Sequence, residues 1–176
     1  MNRLRSFFGL ASATQYLVLA TIIVYAMQVV QQPKGGTGFF DLFDISRITQ
    51  FEWTFGLITP PHTPEIFWQL VSYMFLHGGL WHIFFNMYAL WIFGHALEMV
   101  WGMRRFFTYY SVTGIGAGLT VVAISLLQGQ PGLSITIGAS GAIYGLLLAY
   151  GMLFPNQPLY FFFIPVPIPA KYAVLL

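Results

Sequence analysis

LWHIFFNMYALWIFGHALEM, residues 80–99, decides the fold. Apart from His82, His95 and, near its end, Glu98, this run carries no acidic or basic side chain, and its aromatic and aliphatic residues occupy every face of a helix. A helix apolar all round is a buried or a membrane-spanning one. At about 1.5 Å per residue, the run is long enough to cross the roughly 30 Å hydrocarbon core of a bilayer.

The rest of the chain has the same character. Of its 176 residues 57% are hydrophobic and only 7% charged, whereas soluble domains carry about 25% charged residues. A chain of this length has room for about five spans of about 20 residues. The expected fold is therefore an all-α, polytopic membrane helical bundle, organised as a single membrane domain over residues 1–176. The net charge of +2 comes from scattered basic residues, which is no nucleic-acid footprint. The chain contains no cysteine, so a disulfide framework, a thiolate metal site and a thiol nucleophile are excluded within it.

Working outward from residues 80–99, the paired Gly78 and Gly79 separate this span from a preceding apolar stretch that begins at Ile66, expected as a short interfacial or re-entrant helix. Upstream, the run Tyr16–Val30 reads as a retained first span. Between the two lies a long connection, Gln31 to about Glu65, rich in Phe39, Phe40, Phe43, Phe51, Trp53 and Phe55. Such rings are favoured at the headgroup level. Downstream, a third span is expected from about Phe106 to Leu127, a turn over Gln128–Ser134, and a fourth span from near Gly138 to Phe154. Pro165, Pro167 and Pro169 make a regular helix unfavourable over Leu159–Pro169. A new apolar stretch opens at Ala170, the start of a fifth span.

Basic residues near span ends favour the cytoplasm. Arg3 and Arg5 precede the first span, Arg104 and Arg105 join the second to the third, and Lys171 follows the fourth. That pattern places the N-terminus of a multi-pass protein in the cytoplasm. The second and fourth spans then both run from outside to inside, so residues early in each share the outer half of the bilayer.

Polar groups inside a membrane are costly unless they are paired or functional. His82 and Asn86, four residues apart, share one helical face near the start of the second span. Ser140 opens the fourth span within Gly138-Ala139-Ser140-Gly141. A serine at a helix N-terminus is surrounded by backbone N–H groups that have no intrahelical partner. Together with a neutral histidine and an asparagine amide, these could stabilise the oxyanion of a tetrahedral intermediate. Gly138 and Gly141 leave the backbone open to close approach. No base for Ser140 is evident.

The segment HGGLWHIFFN, residues 77–86, followed by GASGAIYG, residues 138–145, resembles the rhomboid family of intramembrane serine proteases. Either motif alone is weak; the combination is specific. Trp68, Glu98, Gly102 and Arg105 add to the resemblance, which runs from about Ile66 onward. It implies Ser140 as the nucleophile, with His82 and Asn86 lining the oxyanion hole beside the Ser140 N–H. It also implies that Tyr144 packs beneath a catalytic histidine and that His77 is non-catalytic.

Two features depart from the family pattern. A frequent Trp-Arg pair stands here as Trp68-Gln69, which is expected to weaken a loop contact. The family's general-base histidine belongs to a sixth span, and His62 and His95 are poor substitutes for it. The resemblance thus implies four full spans plus the start of a fifth, with C-terminal spans missing. On its own the 176-residue chain is expected to be inactive and less stable than its parent.

The implied activity is endoproteolysis of transmembrane protein substrates in the lipid bilayer, through a Ser-His dyad and with no metal or cofactor. The alternative is a noncatalytic relative that binds transmembrane segments. A small transporter is disfavoured because the spans hold no acidic relay. The pairs Gly114/Gly118 and Gly141/Gly145 also fit a plain helix-packing pattern.

Overall fold

The computed structural model describes residues 12–32, 48–61, 64–129, 132–161 and 164–173. Arg3 and Arg5, the loop aromatics Phe39, Phe40 and Phe43, and His62 lie outside the described residues.

The first helix, α1 (Ala13–Gln31), begins at a reciprocal cap: Ser12 Oγ accepts the Gln15 N–H, and Gln15 Oε1 accepts the Ser12 N–H. In the connection, α2 (Gln50–Phe55) repeats that device with Thr49 and Glu52. Strand β1 (Leu57–Thr59) follows, then α3 (Ile66–Ser72), which tightens into a 3₁₀ turn over Tyr73–Phe75. The apolar stretch ahead of Gly78 is thus a short helix.

The stretch quoted first becomes α4 (Leu80–Ala89), a π-helical turn (Leu90–Gly94) and α5 (His95–Trp101). The wide turn falls where Gly94 lies tightly against Leu90 and Phe106: a Cβ there would be 3.2 Å from each, so these side chains would have to give by a few tenths of an ångström. Gly102, at φ 78°, reverses the chain into α6 (Met103–Gln128). Strand β2 (Ser134–Thr136) leads to α7 (Ser140–Leu153). Beyond it, β3 (Pro158–Phe161) pairs antiparallel with β4 (Ile164–Pro169), and α8 (Ala170–Ala173) follows. The alternating prolines are therefore accommodated in a hairpin, where a missing N–H costs less than inside a helix.

Among the described residues, three helices are long and apolar enough to cross a membrane: α1, Leu80–Trp101 and α6. Their outer faces are apolar, with Leu19, Ile22, Val112, Leu119 and Leu126 exposed. Side chains of this kind outside and a tight core inside are what a polytopic bundle in lipid requires. The α7 helix has 14 residues, a rise of about 21 Å.

The core lies where α1, α4–α5, α6 and α7 converge, around Leu90, Leu97, Phe106, Tyr110 and Leu146, each essentially inaccessible. The most extensive packing is between α6 and α7. A Cβ on Gly141 would be 2.5 Å from the Ala117 Cβ, and one on Gly145 would be 2.7 Å from Thr113. On α6, Gly114 would meet Met74 and Gly118 would meet Leu70 and Tyr73. These small residues let backbones approach, and in lipid such packing supplies much of the driving force for association.

Strand pairing adds a tie that the hydropathy pattern does not announce. β1 and β2 pair antiparallel, with Leu57 opposite Thr136 and Thr59 opposite Ser134. The first connection is thereby joined to the segment that leads into Ser140. The expected turn over Gln128–Ser134 thus ends in a strand, and the fourth helix starts at Ser140 rather than Gly138.

Candidate active site

Ser140 is the first residue of α7, with Ala139 at the cap and no capping side chain. The first bond inside the helix runs from the Ile143 N–H to the Ala139 carbonyl, so the N–H groups of Ser140, Gly141 and Ala142 have no partner within α7. The Ser140 side chain is exposed. Among the described residues none hydrogen-bonds its Oγ. The strand β2 and the bond from the Gly138 N–H to the Tyr73 carbonyl, 2.9 Å, hold the chain just ahead of it.

His82 and Asn86 share a face of α4, and the Asn86 amide donates to the His82 carbonyl at 2.8 Å. Asn86 is buried and His82 partly so. Gly138 is where the two helices meet. At φ 126° it has a backbone conformation that side chains resist. A Cβ placed on it would lie 2.8 Å from His82 Nε2 and 3.8 Å from Ser140 Oγ. The imidazole of His82 and the hydroxyl of Ser140 therefore flank the same small space, kept open because residue 138 has no side chain.

The backbone decides the tautomer of His82. The Gly78 N–H donates to His82 Nδ1 at 3.2 Å. A backbone N–H can only donate, so Nδ1 is the acceptor and a neutral imidazole carries its proton on Nε2. That proton is on the side of Gly138 and Ser140. In this state His82 offers a hydrogen-bond donor to a group bound over Ser140 and cannot take the serine proton at Nε2.

His77, in the loop ahead of α4, is fully buried. Its Nδ1 pairs with the Phe75 carbonyl at 3.3 Å, its Nε2 is buried without a partner, and its ring meets that of His82 edge-on at 5.0 Å. Burial lowers its pKa from 6.5 to about 4; the neighbouring His82 adds to the effect and the Phe75 carbonyl opposes it. His77 is accordingly a neutral packing partner of His82. His95 stacks on Trp91 at 6.1 Å, on the far part of the same span.

Tyr144, one turn along α7 from Ser140, is 68% exposed. Serine and tyrosine thus lie on one open face of α7. Gly141 and Gly145, on another face, meet α6.

The first connection is held by the Trp68-Gln69 pair. Trp68 Nε1 donates to the Thr54 carbonyl at 2.9 Å, while buried Gln69 accepts the Ile58 N–H at 3.2 Å and donates to the carbonyls of Trp53 and Thr54. An amide, having both donor and acceptor, ties α3 to the loop and to β1 where an arginine would have donors only.

Two buried polar residues near this frame carry more than their sequence positions disclose. Glu98 accepts the backbone N–H groups of Ala13 and Thr14. Gln28, fully buried in α1, bonds Glu52 and the backbone of His77. The signal that marks Gln28 in the sequence is its polarity: an amide inside an apolar span has to find partners.

A family model described as Rhomboid domain matches residues 64–176. Among curated proteins, "Rhomboid protein 1, mitochondrial" of Saccharomyces cerevisiae is 34% identical over 129 residues, covering 73% of this chain and 37% of that protein. "RHOMBOID-like protein 5" of Arabidopsis thaliana is 39% identical over 80 residues, 46% of this chain and 25% of that protein. "Putative rhomboid protease YdcA" of Bacillus subtilis is 34% identical over 92 residues, 51% of this chain and 44% of that protein. The chain spans less than half the length of these relatives.

Proposed function

Since the chain belongs to the rhomboid family, we propose that it carries the nucleophile and the oxyanion hole of an intramembrane serine endopeptidase that cleaves transmembrane protein substrates. The observation that carries this reading is the space at Gly138, with the His82 Nε2 proton on one side and the Ser140 hydroxyl on the other.

In this mechanism Ser140 Oγ attacks the carbonyl carbon of a peptide bond, and its proton passes to a base. The oxyanion then accepts hydrogen bonds from His82 Nε2–H, the Ser140 N–H and the second N–H of the Asn86 amide, whose first is held by the His82 carbonyl. Collapse of the intermediate expels the amine and leaves an acyl group on Ser140, which water releases. The base is a histidine from outside residues 1–176, and Tyr144 on the open face of α7 is the surface it packs on. Gly138 and Gly141 keep the site open and the serine helix close to α6.

The same reading takes α7 as a fourth span and α8 as the start of a fifth, with the N-terminus cytoplasmic. A helix rising about 21 Å is shorter than the roughly 30 Å hydrocarbon core, so at least one of its ends lies below a surface, and this reading takes that end to be Ser140. Ser140 would then be reached from a hydrated cavity, the only setting in which such polar groups suit this depth.

The competing reading, a noncatalytic relative that binds transmembrane segments, draws on the lack of a base at Ser140 among the described residues. Labelling of the natural gene product with a serine-directed fluorophosphonate separates the two. Protease chemistry requires a labelled protein whose labelling disappears in Ser140→Ala. Equal labelling of both, or of neither, would overturn it.

A further inference from the structure

Gln28 is a buried amide in the first span, far from the serine in sequence, and its hydrogen bonds go to Glu52 of α2 and to the backbone of His77 ahead of α4. Its Oε1 accepts the His77 N–H at 2.9 Å. That N–H can only donate, so the amide orientation is fixed and Nε2 faces the other way. Nε2 donates to Glu52 Oε1 at 2.9 Å and to the His77 carbonyl at 3.4 Å. Glu52 is itself buried and held by the Thr49 N–H at 2.7 Å and by the Thr49 hydroxyl. The amide is therefore anchored on one side and clamps both backbone groups of His77 on the other.

The consequence for the site runs through one peptide unit. The His77 carbonyl and the Gly78 N–H belong to the same planar peptide and point in opposite directions across it. Gln28 holds the carbonyl end, and the N–H end is the donor to His82 Nδ1. Gly78 and Gly79, the latter at φ 155°, leave this stretch free to rotate unless something fixes it. A rotated peptide would turn its carbonyl toward Nδ1. The imidazole would then carry its proton on Nδ1, and the donor facing Ser140 would be lost.

We propose that Gln28 is a positioning residue that holds the His77–Gly78 peptide so that His82 keeps its proton on Nε2, facing Ser140. The value of that proton to catalysis rests on the protease reading above; the tautomer itself does not.

The test is nitrogen-15 NMR of the histidine-labelled 176-residue chain in lipid bilayers, with His82 assigned by the resonances lost in His82→Gln. His82 should show a protonated Nε2 and an unprotonated Nδ1. Gln28→Met, similar in volume but without donors or an oxygen acceptor, should give a mixture of tautomers. Glu98→Gln, which loosens α1 at its other end without touching this loop, should keep the single tautomer. Should Gln28→Met fail to fold, the exchange Gln28→Glu with Glu52→Gln preserves a bond between the two positions and an acceptor for the His77 N–H. It removes only the donor to the His77 carbonyl, and it should also mix the tautomers.

A pure Nε2–H form in the Gln28 variants, a different tautomer in the unaltered chain, or an equal mixture in Glu98→Gln would overturn the proposal. Fluorophosphonate labelling of the natural gene product provides the second readout, where Gln28→Met should label at least about tenfold more slowly, about 1.4 kcal/mol in the barrier. Absence of labelling in the unaltered protein would count against the protease reading and leave the tautomer result standing.

Discussion

Thr14 donates twice to one oxygen of Glu98, through its N–H at 3.0 Å and its hydroxyl at 2.7 Å, although 84 residues separate them. The other carboxylate oxygen accepts the Ala13 N–H at 2.7 Å. The carboxylate of the second span thus supplies the anionic partner that the positive end of the first span calls for.

Glu98→Gln should therefore destabilise the bundle by about 2 kcal/mol, because an amide N–H₂ replaces an acceptor facing buried donors. Thr14→Val should cost about 1 kcal/mol, the worth of the hydroxyl alone. Unfolding midpoints in mixed micelles would measure both. Midpoints within error of the unaltered chain would mean that water replaces the carboxylate.

Two glycines of the helical bundle should respond to alanine in opposite directions. At Gly145 the new methyl would sit 2.7 Å from Thr113, so Gly145→Ala should destabilise by about 1–3 kcal/mol. At Gly116 nothing lies within 4 Å. Gly116→Ala should be neutral or stabilise by up to about 1 kcal/mol through helix propensity. The same unfolding measurement checks the pair, and equal losses would refute the packing account.

Gly138→Ala places a methyl against His82 and forces alanine to adopt φ 126°. Serine labelling should drop at least about tenfold, about 1.4 kcal/mol. Gly132→Ala, at an open position in the same connection, should leave labelling unchanged. If the two variants label alike, the space between His82 and Ser140 does not control reactivity.

The sign of the pH dependence follows from His77. Its pKa in the fold is about 4, below the ordinary 6.5, so the unfolded chain binds a proton more readily than the folded one. Its contribution is full above pH 6.5 and is lost as pH falls from 6.5 toward 4, up to roughly 3 kcal/mol. Removing the titrating ring by His77→Gln should flatten the unfolding curve over that window. Parallel curves for the two chains between pH 7 and pH 4.5 would contradict this.

The three helices long enough to cross a membrane were legible in the sequence because burial in lipid depends on local composition. Leu80–Trp101 needed no partner to be recognised, and the π turn inside it changes neither its length nor its polarity. His82, Asn86 and Ser140 stand out in the sequence for the complementary reason, simply as polar side chains in apolar helices. The start of α7 at Ser140 and the hairpin over Pro158–Pro169 were settled by hydrogen bonding, which hydropathy does not describe.

By itself the sequence determined which segments are apolar enough to span a membrane, and which polar residues such segments contain. Only the tertiary structure decided what those residues do for one another. The pairing of Leu57–Thr59 with Ser134–Thr136, the Glu98 cap on α1 and the clamp of Gln28 on His77 all join residues far apart in the chain. Three-residue strands and single buried amides leave almost no periodic trace. Their partners are selected by which backbone groups remain unsatisfied once the helices have packed.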